Sequence, residues 1–569
     1  MPPSVAVVGA GPAGTTLALG LLGRGCAVTL VTDRTAEEIR DGRVMSSQIT
    51  FESALDLESA LGVSGLLPDA PSLDRLVLEV RDRDGRVTSF DAPLSAPARS
   101  VDLRVKIPAV LEAIERLGGK VVVRNAGVDD VEELAAGHDL VVVSTGRGGL
   151  ADLFAPDASR SPYDRPQRVA SLTYLRGGTP DPAGPALRYH AVEGVGECFT
   201  CPALTVDGPC DIVVVEGVPG GPLDVWDSVG SASDHLDRLR GVLADHFPEE
   251  AVRFAAAALV DDGSVLSGRF TPTVRRPVGV LPSGAPVLGM ADVVVLNDPV
   301  TSQGANHAVK SASFYLDSIL GHEGAYDAAW MEQTFDRFWR GWARFATRWT
   351  NDWLGPRTPH QREVLAAAAR LPGVAELVAA GFDDARLFEA WWYDPDAARE
   401  LLAEQEAAAG GRFDARDLRR ALGQYATGVT VVTTLHDGER FGMTANSFTS
   451  VSLNPPLVLW AAAKSSPSLA AFEAADRFAV NVLAADQHHL SRQFATSGTD
   501  KFEGVALLDA ELPLLEGSVA HFACRRTQRV DAGDHVVFLG EIEEYAAPGG
   551  EPLVFHSGFY RVATKHPDL

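Results

Sequence analysis

The sequence predicts an α/β chain of several domains: a doubly wound N-terminal part carrying an inserted antiparallel block and a helical extension, then a separate β-barrel. Three observations carry this. A strand, glycine turn, helix and second strand follow one another over 5–33. Short β runs broken by Gly and Pro fill about 166–288. Beyond Gly410-Gly411 the pattern becomes strands joined by turns, with no second GxGxxG. At 569 residues the chain exceeds what a single hydrophobic core sustains.

The elements justify themselves in order. The apolar run Val5-Ala6-Val7-Val8 leads into Gly9-Ala10-Gly11-Pro12-Ala13-Gly14, an Ala- and Leu-rich helix, and a strand ending at Thr32-Asp33. In this spacing Gly9 permits a tight turn, Gly11 lets the backbone approach a pyrophosphate, and Gly14 lets helix and strand pack closely. The N–H groups and dipole of the helix start favour phosphate charge. Asp33 stands where an acidic residue meets ribose hydroxyls. The motif alone leaves FAD and NAD(P) both open.

Runs at 76–81 and 86–90, split by Asp84-Gly85, predict a hairpin. An amphipathic helix follows over 107–117, then a strand at 120–124. The apolar run 140–143 reads as a buried parallel strand, and the Thr145-Gly146 that follows falls beside the first glycine turn, where ligands gather in such sheets. After the inserted block, Asp298 to Asn306 form a second glycine-bearing helix start. Two such starts far apart suit a ligand too long to be held at one point. Phe335, Phe338, Trp342, Phe345 and Trp349 recur at helical spacing and read as ordinary packing. Ala407 to Gly411 read as a linker, and Phe413 opens a new unit. There a helix at 414–424 and strands at 429–435, 440–444, 457–461, 478–483, 519–524 and 536–542 suggest a split barrel.

The formal net charge of -26 argues against a nucleic-acid or anionic-membrane partner. No apolar run approaches a membrane span, and a strand rather than a leader opens the chain, so a cytoplasmic protein is expected. The five cysteines are scattered; Cys198-Phe199-Thr200-Cys201 has CxxC spacing but no second pair to complete a zinc site, and no metal is expected. There is no Ser-His-Asp set.

About residues 1–405 resemble the FAD-dependent styrene and indole monooxygenases that take reduced flavin from a separate reductase. The likeness rests on the first glycine motif, Thr32-Asp33-Arg34, Ala96-Pro97-Ala98-Arg99-Ser100-Val101-Asp102, Pro166-Gln167-Arg168, Asp298-Pro299 with Gln303-Gly304-Ala305-Asn306, and Ala346 to Asn351. The chain departs from that family where Ser302 replaces Gly and where Ala291-Asp292 replaces Gly-Asp. The resemblance implies that Gly9, Gly11 and Gly14 take the pyrophosphate, with Thr32, Asp33, Arg34 and Arg43 on the adenosine and phosphate side. It places Arg99, Thr145, Asp292, Pro299, Gly304, Ala305 and Asn306 along the rest of FAD. Ser46, Gln48, Leu73, Leu76 and Ala96 become the substrate side, with Ser46, Gln48 and Ala96 leaning toward indole. In single-component flavin hydroxylases an Asp-Gly pair stands where this chain has Ser144-Thr145-Gly146, so the oxygenase part is expected not to reduce its own flavin.

About residues 412–569 resemble the short-chain NAD(P)H:flavin reductases, through Tyr425 to Thr434, Gly442 to Phe448, Ser450 to Leu457 and Gly533-Asp534-His535. The resemblance implies a homodimer, a flavin cradle from Thr444, Asn446, Ser447, Ser450, Lys464, Ser465 and Ser466, and His535 beside the nicotinamide. The whole is identified as a natural fusion: 1–355 the FAD-binding oxygenase with its substrate domain at about 166–288, 356–405 a helical extension, 406–412 a linker, and 413–569 the reductase. The implied reaction uses NADH, with NADPH the less favoured alternative, to reduce FAD, then O2, through a flavin C4a-hydroperoxide, to epoxidise indole or styrene-type alkenes, indole favoured, and oxidise thioethers. The alternative is a reductase that mainly supplies a separate oxygenase.

Overall fold

The structure is a computed structural model that describes residues 2–46, 48–145, 149–409, 415–496, 500–509 and 511–563. The chain divides into two compact units, Met1–Ala407 and Ala408–Leu569.

The N-terminal unit is built on a six-stranded sheet in the order Val278–Val280, Pro286–Gly289, Leu140–Val143, Ser4–Val8, Ala27–Thr32, Lys120–Val123. All neighbours are parallel except the hairpin formed by the first two. Leu140–Val143 and Val5 to Val8 are buried, as continuous apolar strands between helices must be. The helix Pro12–Leu22 starts at the carboxyl end of Ser4–Val8, with Gly11 as its N-cap.

A second, eight-stranded sheet runs Ala258–Leu259, Val169–Arg176, Gly208–Gly217, Gly196–Thr205, Ala186–Val192, Ser72–Arg81, Val87–Arg99, with Val265–Arg269 also paired to Val169–Arg176. Its pairings are antiparallel apart from Ser72–Arg81 against Ala186–Val192. The expected insert at 166–288 is redrawn at both ends. The hairpin at 72–99 joins the inserted sheet, while Val278–Val280 and Pro286–Gly289 return to the parallel one. Val287 and Leu288 are fully buried there. Short Pro-flanked apolar runs look alike in both sheets, so sequence pattern does not mark the crossing.

Helices Ala232–His246 and Pro248–Arg253 cover one face of the second sheet. The other face meets Trp349, Trp353 and Trp392 from the later helices. Ala328–Phe338 passes through a single π-helical turn, Trp339–Ala343, into Arg344–Leu354. Phe335, Phe338, Trp342 and Trp349 are all buried, so the aromatic stripe is packing. The last helix of this part runs Pro395–Ala409, so the first residues of the expected linker are helical. Gly410, Gly411 and Phe413 lie outside the described residues. Cys198 and Cys201 face opposite cores from the strand Gly196–Thr205, and all five thiols are free and buried.

The C-terminal unit opens with the helix Ala415–Leu422 and is built on a seven-stranded antiparallel sheet. Its order is Glu439–Ala445, Thr430–His436, Arg477–Val482, Ala520–Ala532, His535–Ala546, Pro456–Ala463, Thr449–Leu453. The sheet curls until its ends meet: the Ser447 hydroxyl accepts the Ala461 N–H at 2.9 Å and donates to the Ala461 carbonyl at 3.1 Å. Trp460 fills the interior, stacked on Phe538 at 4.8 Å and edge-on to Phe472. The short edge strand Thr449–Leu453, whose alternating Val451 and Leu453 are exposed, was not among the strands expected from the sequence.

Candidate flavin cleft and reductase turn

A cleft of about 350 Å³ opens at the carboxyl ends of the parallel strands. Gly9, Gly11, Thr32, Asp33 and Arg34 line one end, and Asp292, Gly304 and Ala305 the other, with Thr145 between. The glycine spacing has a steric cause. Gly9 has φ +117°, and a Cβ there would lie 2.8 Å from Ser144 Oγ. A Cβ on Gly14 would lie 1.9 Å from the Gly9 carbonyl oxygen. A Cβ on Gly11 would meet nothing within 4 Å, so that side of its backbone is open to the cleft. No side chain caps the helix at Gly11, so its first N–H groups stay available to an anion.

The far end repeats this on another helix. Gly304–Leu320 begins without a side-chain cap, and Gly304 is exposed at its tip. Asp292 sits on the turn Ala291–Val293. Its carboxyl is set deep among protein atoms yet opens into the cleft, and this burial raises its pKa to about 6. Both departures from the family's glycines fall on left-handed backbone: Ala291 has φ 56° and Ser302 φ 55°. Open glycine backbone at both ends, and at the far end a carboxyl with no hydrogen-bond partner among the described residues, fit a long dinucleotide such as FAD.

Ser46 and Gln48 line this same cleft, the Ser46 carbonyl accepting the Tyr174 hydroxyl at 3.2 Å. Other candidates are placed elsewhere. Arg43 turns away, its guanidinium 3.4 Å from the Val265 carbonyl, because the chain at Val44 pairs with Gly263. Arg99 exchanges backbone hydrogen bonds with Thr50 and its side chain is exposed. Leu73 and Leu76 are fully buried inside the second sheet's core with Tyr174 and Tyr189. Ala96 and Pro299 are half-buried and do not line the cleft. Gly14 acts through packing. Asn306 is a clamp: its amide donates to the carbonyls of Ile49 and Ser302 at 3.0 and 3.2 Å and accepts the Phe51 N–H at 2.9 Å. Gly146 lies outside the described residues.

Sequence reading missed Met45, Arg124, Asn125 and Ser144 on the lining. Ser144 was the most findable, since it ends the apolar strand; its hydroxyl donates to the Gly9 carbonyl at 3.0 Å. Arg34 reaches across to Met45, Nη2 to Sδ 3.1 Å.

In the C-terminal unit the strand pairing Pro456–Ala463 with His535–Ala546 sets Ala463 opposite His535. The Lys464 N–H donates to the Asp534 carbonyl at 2.9 Å, and Lys464 Nζ lies 3.2 Å from Asp531. The half-exposed His535 ring pairs through Nδ1 with Asp534 at 2.8 Å, which holds the Asp534 carboxyl below its usual range. Ser465 and Ser466 follow Lys464 on the same turn, and Ser466 Oγ accepts the Ser468 N–H at 3.4 Å. Asn446 and Ser450 are exposed beside the Ser447 seam. The hydroxyls of Thr444 and Ser447 are committed inward, to the carbonyls of Ser491 and Ala461, so their part in a flavin cradle would be by backbone.

A glycine cradle under a parallel sheet in one unit and a curled antiparallel sheet in the other define a two-unit flavin enzyme. Comparison with known proteins makes this specific. Residues 422–564 match the family described as "Flavin reductase like domain", and 146–253 match "Styrene monooxygenase A putative substrate binding domain". Styrene monooxygenase StyA of Pseudomonas fluorescens is 30% identical over 64% of this chain and 88% of its own length. The FMN reductase (NADH) SmoA of Agrobacterium fabrum is 45% identical over 26% of this chain and 87% of its own. A solved styrene monooxygenase flavin reductase from Pseudomonas putida S12 is 32% identical over 26% of this chain and 99% of that one, with a TM-score of 0.25. The chain belongs to the styrene monooxygenase family and carries a flavin reductase domain at its C-terminal end. It is a flavin-dependent monooxygenase with its reductase in one polypeptide.

Proposed function

We propose that the C-terminal unit reduces FAD with NADH and that the N-terminal unit uses the reduced FAD and O2 to epoxidise indole or styrene-type aromatic alkenes, indole favoured, and to oxidise thioethers. The observation that carries this is the shared lining: Ser46 and Gln48 border the same cleft as Asp292 and Gly304. When bound, reduced flavin supplies the electrons and the place where oxygen is activated. The chain's part is to bind and orient. Gly9 makes the turn, its own N–H held by the Val31 carbonyl, while Gly11 and the helix start behind it offer open N–H groups to the pyrophosphate, Asp33 and Arg34 hold the adenosine side, and the Gly304 helix start faces the ring end. The apolar core behind Ser46 and Gln48 keeps water from the reacting edge. The similar reductase SmoA is named for FMN and NADH; the length spanned by the oxygenase cleft favours FAD there. Exposed Leu453, Tyr545 and Tyr425 support a homodimer through the reductase unit, which light scattering of the full chain tests.

The deciding experiment supplies the purified chain with FAD, NADH and O2 and offers indole and styrene in parallel, with and without catalase. Indole-derived pigment and styrene oxide that persist with catalase are expected. NADH oxidation yielding only peroxide overturns the proposal. Product that appears only when a separate oxygenase is added would instead assign the chain a supply role.

A further inference from the structure

The chain has five methionines, of which Met45, Met290, Met331 and Met443 fall within the described residues. Met290 and Met331 are sealed in the core of the N-terminal unit, at 0% and 1% exposure. Met443 is half-buried in the other unit and packs against the barrel interior around Trp460. Met45 is placed differently. It lines the flavin cleft with Arg34 and Ser46, packed against the first sheet's core yet open to the cavity.

The Met45 sulfur meets a charge there. Arg34 Nη2 donates to Sδ at 3.1 Å, a strong donor on a weak acceptor. A thioether engaged in one hydrogen bond keeps a second electron pair for reaction, and its oxidation by hydrogen peroxide needs no other partner. The sulfur pair attacks one peroxide oxygen, the O–O bond breaks and an S–O bond forms. The departing oxygen leaves as hydroxide and takes the proton from the oxygen now on sulfur, becoming water. Sulfur loses two electrons and the peroxide gains them. A guanidinium beside the sulfur eases the departure of hydroxide. The finished sulfoxide then offers Arg34 an oxygen acceptor in place of the sulfur, and a hydrogen bond from an ionised donor to oxygen is a strong one.

We propose that Met45 is a peroxide-sensitive modification site of the cleft. Hydrogen peroxide, formed when reduced flavin meets O2 without an organic substrate, converts it to the sulfoxide, which holds Arg34 and weakens flavin binding. The effect on flavin rests on the function proposed above; the oxidation of Met45 does not. With Arg34 drawn from the adenosine side, the flavin requirement rises by up to about tenfold, the loss of one charge-assisted contact. Oxygenation is thus turned down while peroxide accumulates, and enzymatic reduction of the sulfoxide restores it.

The test treats full-length protein with a low excess of hydrogen peroxide and maps methionine sulfoxide by peptide mass spectrometry. Met45 is converted several-fold faster than Met290, Met331 and the packed Met443. Turnover with FAD, NADH and O2 but no organic substrate gives the same pattern, and catalase suppresses it. In parallel, the FAD concentration for half-maximal oxygenation is measured before and after peroxide. It rises in wild type, returns on treatment with methionine sulfoxide reductase, and does not respond to peroxide in M45L, which has no sulfur to oxidise. The FAD needed for half-maximal NADH oxidation, the work of the other unit, does not move and reports an intact reductase. Conversion of Met45 no faster than that of Met290 and Met331 overturns the proposal. So does a Met45 that survives turnover without substrate, or an unchanged FAD requirement once Met45 is converted. If M45L does not fold, reversal of the wild-type effect by the sulfoxide reductase takes its place. A chain that oxidises neither indole nor styrene fails the function proposed above, and the sulfoxide map then decides this proposal alone.

Discussion

The two ends of the flavin cleft use backbone differently. At the first, the left-handed conformation falls on Gly9 and the closest approach on Gly14, so glycine carries every steric demand. At the second, left-handed backbone falls on Ala291 and Ser302. A side chain in that region costs about 1 kcal/mol per residue. The contrast separates two kinds of requirement. A Cβ on Gly14 would collide with backbone that cannot yield, so only glycine fits. A positive φ is a strain that other residues tolerate. The first kind can be read from spacing alone; the second shows in the sequence only as a departure from relatives.

Substitution at the glycine end should therefore give the largest effect. Gly14→Ala drives its Cβ against the Gly9 carbonyl oxygen, at 1.9 Å before relaxation. It should destabilise the N-terminal unit by about 3 kcal/mol in urea unfolding and abolish oxygenation, while the reductase still oxidises NADH. Gly11→Ala meets nothing within 4 Å and has φ -73°, comfortable for alanine. Its stability should stay within about 0.5 kcal/mol of wild type, yet more flavin should be needed for turnover, because the methyl group occupies the phosphate approach. Equal destabilisation by both substitutions would break the distinction between packing glycine and contact glycine.

Next come the two arginines that the sequence treated alike. Arg34 lines the cleft, whereas Arg43 rests on the Val265 carbonyl. Arg34→Ala should weaken flavin binding about tenfold, the scale of one charge-assisted contact, and Arg43→Ala should leave a titration of the oxygenase unit unchanged. The pair shows how far the site was legible. Strand, turn and helix were fixed by apolar periodicity and by glycines whose neighbours admit nothing else. The cleft residues Gly9, Gly11 and Asp33 and the glycine-bearing helix start at Gly304 followed from them, whereas Asp292 came from the resemblance to the flavin monooxygenases. The resemblance put Arg43, Asn306, Leu73 and Leu76 at the ligand, yet their side chains turn elsewhere, because a shared motif does not say which way each side chain turns. Asn306 turns inward because the carbonyls of Ile49 and Ser302 need donors. The leucines face the tryptophan-rich core: Leu76 alternates with Leu78, and the register shift between Leu73 and Arg75 returns Leu73 to the same face.

Restoring glycine at the strained end is a smaller test of opposite sign. Ala291→Gly should stabilise by up to about 1 kcal/mol, less what glycine gains in the unfolded chain. Ser302→Gly should exceed it, since it also removes a buried hydroxyl that has no partner among the described residues. Thermal unfolding at one fixed pH ranks the two. Loss of stability in both would mean that the side chains at these positions pack well enough to outweigh the strain.

The smallest effect is the one that depends on pH. Asp292 titrates at about 6 because burial at the cleft floor disfavours its charge. Its folded value lies above the unfolded one, so the stability it contributes is full below the ordinary carboxylate range and disappears as pH rises through 6. Asp292→Asn should therefore be more stable than wild type in mild alkali and indistinguishable in acid. The difference should not exceed about 1 kcal/mol, because the carboxyl opens into the cleft and solvent screens it. Neither glycine-end substitution adds or removes a titrating group, so the stability changes of Gly14→Ala and Gly11→Ala should hold across the same range. Unfolding midpoints for all three, taken at several pH values, distinguish an end of the cleft held by shape from one where charge also weighs. A midpoint difference for Asp292→Asn that ignores pH would show that the carboxyl is already neutral or already paired.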